Sequence, residues 1–262
     1  MRYFLILFSY FIINHAVALD ITYTNLNPYT TKFKNNTEAL YLKGEIQPGD
    51  YRKLVEIIYN DVFKFITATR RSIILASEGG DVNEALKIAR LVKGVRASVS
   101  VGPVTGKCIS ACFLIYAAAV ERDASAGTIG IHRPYLHPQQ LSELSPNQAE
   151  QLQSSALSQS RKYLLELQIP TNIIDIMFQR ASTEIHWLTR HELVEEIGIW
   201  QTWYEQYLIA RCGLDKELEK KAYREADKDL FLYLGKIGAC GKKLTAKESS
   251  AFIWKEFAKL KK

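Results

Sequence analysis

Three short segments carry residue types that could act together on a carbonyl group. Ser110, in Gly106-Lys107-Cys108-Ile109-Ser110-Ala111-Cys112, stands where an apolar strand gives way to a helix of small residues. A hydroxyl at a helix N-terminus sits where the dipole favours developing negative charge, and the next amide, that of Ala111, would lie beside the reacting carbon as an oxyanion donor. His132, in Gly130-Ile131-His132-Arg133-Pro134, ends another apolar strand. Its ordinary pKa near neutrality suits it to accept a serine proton, and Pro134 holds the chain beyond it extended. Gly79 and Gly80, in Ser77-Glu78-Gly79-Gly80-Asp81, permit a sharp turn that bares further N–H groups. The chemistry these segments compose is acyl transfer, with a serine nucleophile, a histidine base and backbone amides for the oxyanion.

Each segment also has a plainer use. Serine commonly caps a helix, glycine pairs serve ordinary turns, and a strand-end histidine is often simply solvated. The elements that would position the three segments therefore decide between the two readings. Leu40 to Ile46 reads as a strand ended by Pro48-Gly49, and Asp50 then opens a helix with Leu54, Ile57, Ile58, Val62 and Phe65 at helical spacing. Ser72-Ile73-Ile74-Leu75-Ala76-Ser77 is a short, β-branched run suited to a strand buried on both faces. A helix follows from Asp81, a strand over Ala97–Val101, a helix over Cys112–Ala119, and a strand over Thr128–Ile131. This alternation predicts an α/β fold with a mostly parallel sheet, whose functional residues gather beyond strand ends. Residues 20–38 read as irregular, and helices are expected near 145–167, 171–180 and 189–197.

The ordered set Ser-x-Gly-Gly-Asp-Val, Cys-x-Ser-Ala-Cys and Gly-Ile-His-Arg-Pro resembles the Clp protease proteolytic subunit and its crotonase-superfamily relatives. It looks closest to their exported, predicted periplasmic branch, in which cysteines flank the serine. The resemblance spans about residues 39–202 and implies a spiral of ββα units. It assigns Ser110 as nucleophile and His132 as general base, with Gly80 (or its neighbour Gly79) and Ala111 as oxyanion donors. It further implies self-association, a peptide or unfolded-protein substrate, and no metal or nucleotide cofactor. The family's third residue, an acid after a Gly-Leu-x-Asp turn, meets Gln201 here, after Gly198-Ile199-Trp200. Glu192, Glu195, Glu196 and Asp123 are carboxylates that could substitute. Two further functions stay open: a catalytically impaired relative serving as an envelope binding or scaffold protein, and thioester acyl transfer of the crotonase kind.

Arg2, an apolar run from Tyr3 to Ile13 and Ala16-Val17-Ala18 read as a secretory signal peptide cut after Ala18, with an uncleaved anchor as the alternative. The expected organisation is a signal over 1–18, an α/β domain over 19–203 and a charged helical C-terminal extension over 204–262. A periplasmic or secreted location permits disulfides, and the simplest pairing of the four cysteines is Cys108–Cys112 with Cys212–Cys240. Two buried thiols packed around a tight turn are the alternative for Cys108 and Cys112. Asn35-Asn36-Thr37 is a glycosylation sequon. After the signal, no stretch is apolar and long enough to cross a membrane.

A net charge of +6 spread along the chain is too diffuse to argue for nucleic acid. Gly102 to Cys108 is one residue short of a phosphate-binding loop, with Cys108 where a hydroxyl belongs. His186 with His191, and His132 with His137, lack the helical spacing and third ligand of a metal site. The basic segment Lys242–Lys262, with Phe252, Ile253, Trp254, Phe257 and Leu260, is expected to lay its apolar face on its own domain, an anionic membrane surface or a partner being the alternative.

Overall fold

A computed structural model of the chain describes residues 18–25, 38–67, 71–102, 106–136, 141–142 and 144–261. The main sheet has the order β1-β2-β3-β4-β6, formed by Asp20–Asn25, Glu38–Lys43, Ser72–Ala76, Ser98–Val101 and Glu121–Ala124. Only β1 runs antiparallel, against β2; the other pairs are parallel. A smaller sheet joins β5 (Cys108–Ile109), β7 (Ile129–Ile131) and β8 (His186–Trp187), with β5 and β7 parallel and β8 antiparallel. The chain is thus a mixed α/β fold with mostly parallel sheets.

The central strand β3 follows its composition: Ile73, Ile74 and Leu75 are all buried. β4 alternates, with Val99 and Val101 inward and its serines partly exposed. The helix α1 (Asp50–Asn60) ends before the expected Val62 and Phe65, which fall on a second short helix, α2 (Val62–Thr67). Asp81 caps α3 (Val82–Gly94) by accepting the Glu84 amide at 2.7 Å. α4 (Cys112–Ala117) is buried all round, as its apolar sequence requires. α5 (Pro146–Glu166) starts in a capping box made by Ser145 and Gln148, with Pro146 in the first turn. α6 (Thr171–Gln179) follows, and then one turn of π-helix over Glu192–Glu196, in which Ile197 N–H reaches Glu192 O at 2.9 Å.

Two sequence expectations need correction. The stretch from Asp20 is not irregular, since Asp20–Asn25 forms an edge strand in register with β2, its Ile21 opposite Leu42 and Tyr23 opposite Leu40. Its alternating β-branched and aromatic residues suit a half-buried strand, but scattered threonine and asparagine conceal that pattern. The rhythm read from the sequence also lacked β6, whose Glu-Arg-Asp-Ala composition carries no strand signal and which forms by pairing with β4. Residues 1–17 and the sequon at 35–37 lie outside the described residues.

The C-terminal helices are α7 (Thr202–Cys212), α8 (Lys216–Glu225), α9 (Lys228–Leu244) and α10 (Ala246–Leu260). Tyr204 and Leu208 of α7 and Leu234 and Ile237 of α9 share a second apolar cluster with Val120, Ile199 and Trp200. α10 docks on its own chain: Ile253 is fully buried and Phe257 stacks on Tyr59 of α1 at 3.5 Å between ring centroids. Tyr51 donates its hydroxyl to Glu256 at 2.6 Å beside them. Among the described residues no helix is long and apolar enough to cross a membrane.

Candidate active site

Ser110 sits between β5 and α4 with φ at +58°, a left-handed conformation that L-residues other than glycine, asparagine and aspartate rarely adopt. The disulfide Cys108–Cys112 closes over this turn, and Cys212–Cys240 ties α7 to α9. Both cysteine couples thus pair locally.

Gly79 lies directly against the turn. A Cβ on Gly79 would stand 2.8 Å from the Ser110 Cβ, 2.9 Å from Ile109 O and 3.2 Å from the Ala111 nitrogen. Two backbone bonds hold this approach, Ser77 N–H to Lys107 O at 2.8 Å and Ile109 N–H to Ser77 O at 2.9 Å. Gly79 and Gly80 both have positive φ, +104° and +133°. Among the described residues, the amides of Gly80 and Ala111 make no backbone hydrogen bond, so both remain available as donors. Glu78 is exposed.

His132 approaches from β7. The Ser110 amide donates to Gly130 O at 3.0 Å, which sets Ser110 beside the end of β7, with His132 two residues beyond Gly130. His132 is buried, and its Nδ1 lies 3.0 Å from Arg133 O. A carbonyl can only accept, so this contact favours the tautomer with the proton on Nδ1, which in a neutral ring leaves Nε2 as the acceptor. The following segment is clamped by α5, where Gln153 donates to Pro134 O at 2.7 Å and accepts from the Leu136 amide at 3.0 Å. Among the described residues no hydrogen bond joins the Ser110 hydroxyl to His132. Serine–histidine contacts are often loose in sites without substrate.

Among the described residues no carboxylate is hydrogen-bonded to His132. Gln201 is buried and engaged elsewhere: its amide nitrogen donates to Ala118 O at 2.7 Å, and its oxygen accepts from Trp203 at 2.8 Å. Ala118 caps the C-terminal end of α4, the end opposite Ser110, and the six residues of the helix span about 9 Å at helical rise. Glu192 holds a different histidine, with Oε1 2.7 Å from His186 Nε2 and Oε2 taking the Thr189 amide at 2.7 Å. Glu196 bonds Asn172, while Glu195 and Asp123 are exposed. Among the described residues no group of three or more His, Cys, Asp or Glu is placed to hold a metal; His137 lies outside them.

No family model matches the chain, and no curated protein matches it. Thirty chains of solved structures do match. A mutant ClpP1 from Listeria monocytogenes is 19% identical, covering 62% of this chain and 88% of its own, with a TM-score of 0.39. A mutant of the 1510-N membrane-bound stomatin-specific protease is 18% identical over 62% of this chain and 76% of its own, with a TM-score of 0.42. A Streptomyces avermitilis protein assigned as an enoyl-CoA hydratase is 13% identical over 86% and 85%, with a TM-score of 0.36.

The sequence marked Ser110, His132, the glycine pair and Ala111, and these lie around one end of the small sheet. It did not mark Gln153 or Glu84. Gln153 is one glutamine among several on a polar helix, so no local signal singles it out. Glu84 occupies the third helical position after Asp81, a recognisable capping position, but its partners come from another loop.

Proposed function

We propose that this protein is an exported serine hydrolase acting on peptides or unfolded chains, with Ser110 as nucleophile and His132 as general base. The observation that carries this reading is the contact of Gly79 with Ser110 and Ala111, beside two amides free to receive a developing oxyanion. A strained serine turn and bare amides at one strand end favour attack on a carbonyl over mere helix capping. In this scheme Ser110 Oγ attacks the acyl carbon while His132 Nε2 takes its proton. The Gly80 and Ala111 amides hold the oxyanion, and the imidazolium returns the proton to the leaving nitrogen. Water, deprotonated by the same imidazole, then releases the acyl group. No metal or nucleotide has a step in the scheme.

The Arg133 carbonyl takes the orienting place at Nδ1 that a carboxylate fills in a full triad. It favours that tautomer, but a neutral dipole stabilises an imidazolium less than a carboxylate does. A slow dyad enzyme is therefore expected. Two disulfides fit an oxidising compartment, as does the signal-like N-terminus. Self-association follows only from the resemblance to Clp-type subunits.

Among the described residues neither a carboxylate nor the Ser110 hydroxyl is hydrogen-bonded to His132, which favours a second reading, a binding or scaffold protein built on the same fold. A fluorophosphonate probe separates the two. Labelling of the wild type that disappears in Ser110→Ala and falls strongly in His132→Ala supports the hydrolase. A wild type that stays unlabelled at every pH near neutrality leaves the scaffold.

A further inference from the structure

We infer that Glu84 is a positioning residue for the oxyanion-binding amides, acting through the loop between β2 and α1; this rests on the hydrolase reading above. At the third position after a helix cap, glutamate ordinarily reaches back to the cap's own N–H. Here the Asp81 N–H is already taken by Ile46 O at 2.8 Å. The Glu84 carboxylate turns instead to the loop, where Oε1 accepts from Gly49 N–H at 2.9 Å and Tyr51 N–H at 2.8 Å. Its Oε2 takes Lys87 at 2.9 Å, and only 3% of the residue is exposed. A buried carboxylate with donors on both oxygens is a firm anchor.

That anchor holds Ile46 under the glycine pair. Ile46 N–H donates to Gly79 O at 2.7 Å, and a Cβ on Gly80 would stand only 2.2 Å from Ile46 O. The Gly79 carbonyl and the Gly80 N–H belong to one planar trans peptide, so they point in opposite directions. Pinning the carbonyl to Ile46 therefore turns the Gly80 N–H away from the loop. Two consecutive glycines impose almost no barrier of their own to rotation of that peptide plane. Its orientation depends on the loop, and the loop depends on Glu84.

Steady-state hydrolysis of p-nitrophenyl acetate by the full mature chain tests this. Glu84→Ala should lower kcat about 10- to 100-fold through a misplaced donor, with KM within about twofold of wild type. Glu84→Gln keeps an oxygen acceptor for both amides and should recover most of kcat. Lys87→Ala removes only the outer partner and should leave kcat unchanged. If Glu84→Ala does not fold, Glu84→Asp carries the test, because its carboxylate keeps the charge but falls short of the two amides. Wild-type kcat in the folded Ala or Asp variant overturns the inference alone, as does a loss that Gln fails to rescue. A wild type that neither reacts with fluorophosphonate nor turns over the ester overturns it together with the hydrolase reading.

Discussion

Gly79 and Ser110 touch backbone to side chain, with room for a hydrogen on Gly79 but not for a methyl group, whose carbon would sit 2.8 Å from the Ser110 Cβ. The serine turn and the glycine turn are thus one packed unit, and their spacing fixes where the Ala111 amide stands. Gly79→Ala must relieve that clash and also tolerate a φ near +104°. Overpacking of this kind costs about 1–3 kcal/mol. The expected outcome is a folded but less stable protein whose Ser110 labelling rate falls at least tenfold. Labelling at the wild-type rate would mean the approach of Gly79 has no bearing on the serine.

The two disulfides should separate stability from reactivity. Chain-entropy reasoning assigns roughly 2 kcal/mol to Cys108–Cys112, four residues apart, and roughly 3.5 kcal/mol to Cys212–Cys240, 28 apart. The short bridge spans the left-handed Ser110, while the long one joins helices away from it. Replacing Cys108 and Cys112 by alanine should lower the melting temperature less, yet slow fluorophosphonate labelling more. Replacing Cys212 and Cys240 should do the reverse. Denaturant melts and labelling time courses on both double variants check this, and equal labelling rates would remove any role for the short bridge in holding the turn.

Glycine, serine and histidine at strand ends were legible in the sequence because each sits at a change of local pattern. The buried run Ser72–Ser77 ends at Gly79-Gly80, and the apolar run to Ile131 ends at His132. The local cysteine pairing was open to spacing as well. What could not be read were contacts between segments far apart in the chain. Gln201 occupies the position where a family acid is expected, yet its side chain closes the C-terminal end of α4. Glu192 offered a carboxylate at a reasonable place, and the fold commits it to His186. β6 was hidden because its order comes from pairing with β4 and not from its own Glu-Arg-Asp-Ala sequence.

The Glu192–His186 contact should make the strand beside His132 sensitive to acid. Burial pushes the Glu192 carboxyl up, but bonds from the Thr189 amide, His186 and the Thr189 hydroxyl outweigh it and hold it below the ordinary value of 4.5. A carboxylate whose folded pKa is depressed stabilises the fold above its unfolded pKa, and that stability is lost as pH falls through the folded value. Comparing wild type with Glu192→Gln, the difference in melting temperature should be full near neutrality and shrink as pH drops below about 4.5. Because His186 pairs with Ile131, next to His132, labelling of Ser110 should fall in the variant too. A melting difference that stays constant across that range would deny Glu192 this contribution.

Arg71 should decide whether the last two helices stay attached. It is fully buried just before β3, and burial lowers its pKa to about 10. Nη1 donates to Val95 O at 3.2 Å and to Ser249 Oγ; Nη2 donates to Lys242 O at 2.5 Å and Thr245 Oγ1 at 2.7 Å. Three of these partners lie where α9 ends and α10 begins, and the α9 carbonyls there carry the negative end of the helix dipole. The guanidinium is thus met by oriented dipoles, in a fork that a lysine ammonium cannot reproduce. Arg71→Met strands several buried acceptors and should cost roughly 3 kcal/mol, with Arg71→Lys recovering little of it. Limited proteolysis should then cut between 242 and 250 before the α/β region is attacked. If Arg71→Met melts and resists protease as the wild type does, the α9–α10 corner is held by its apolar contacts alone.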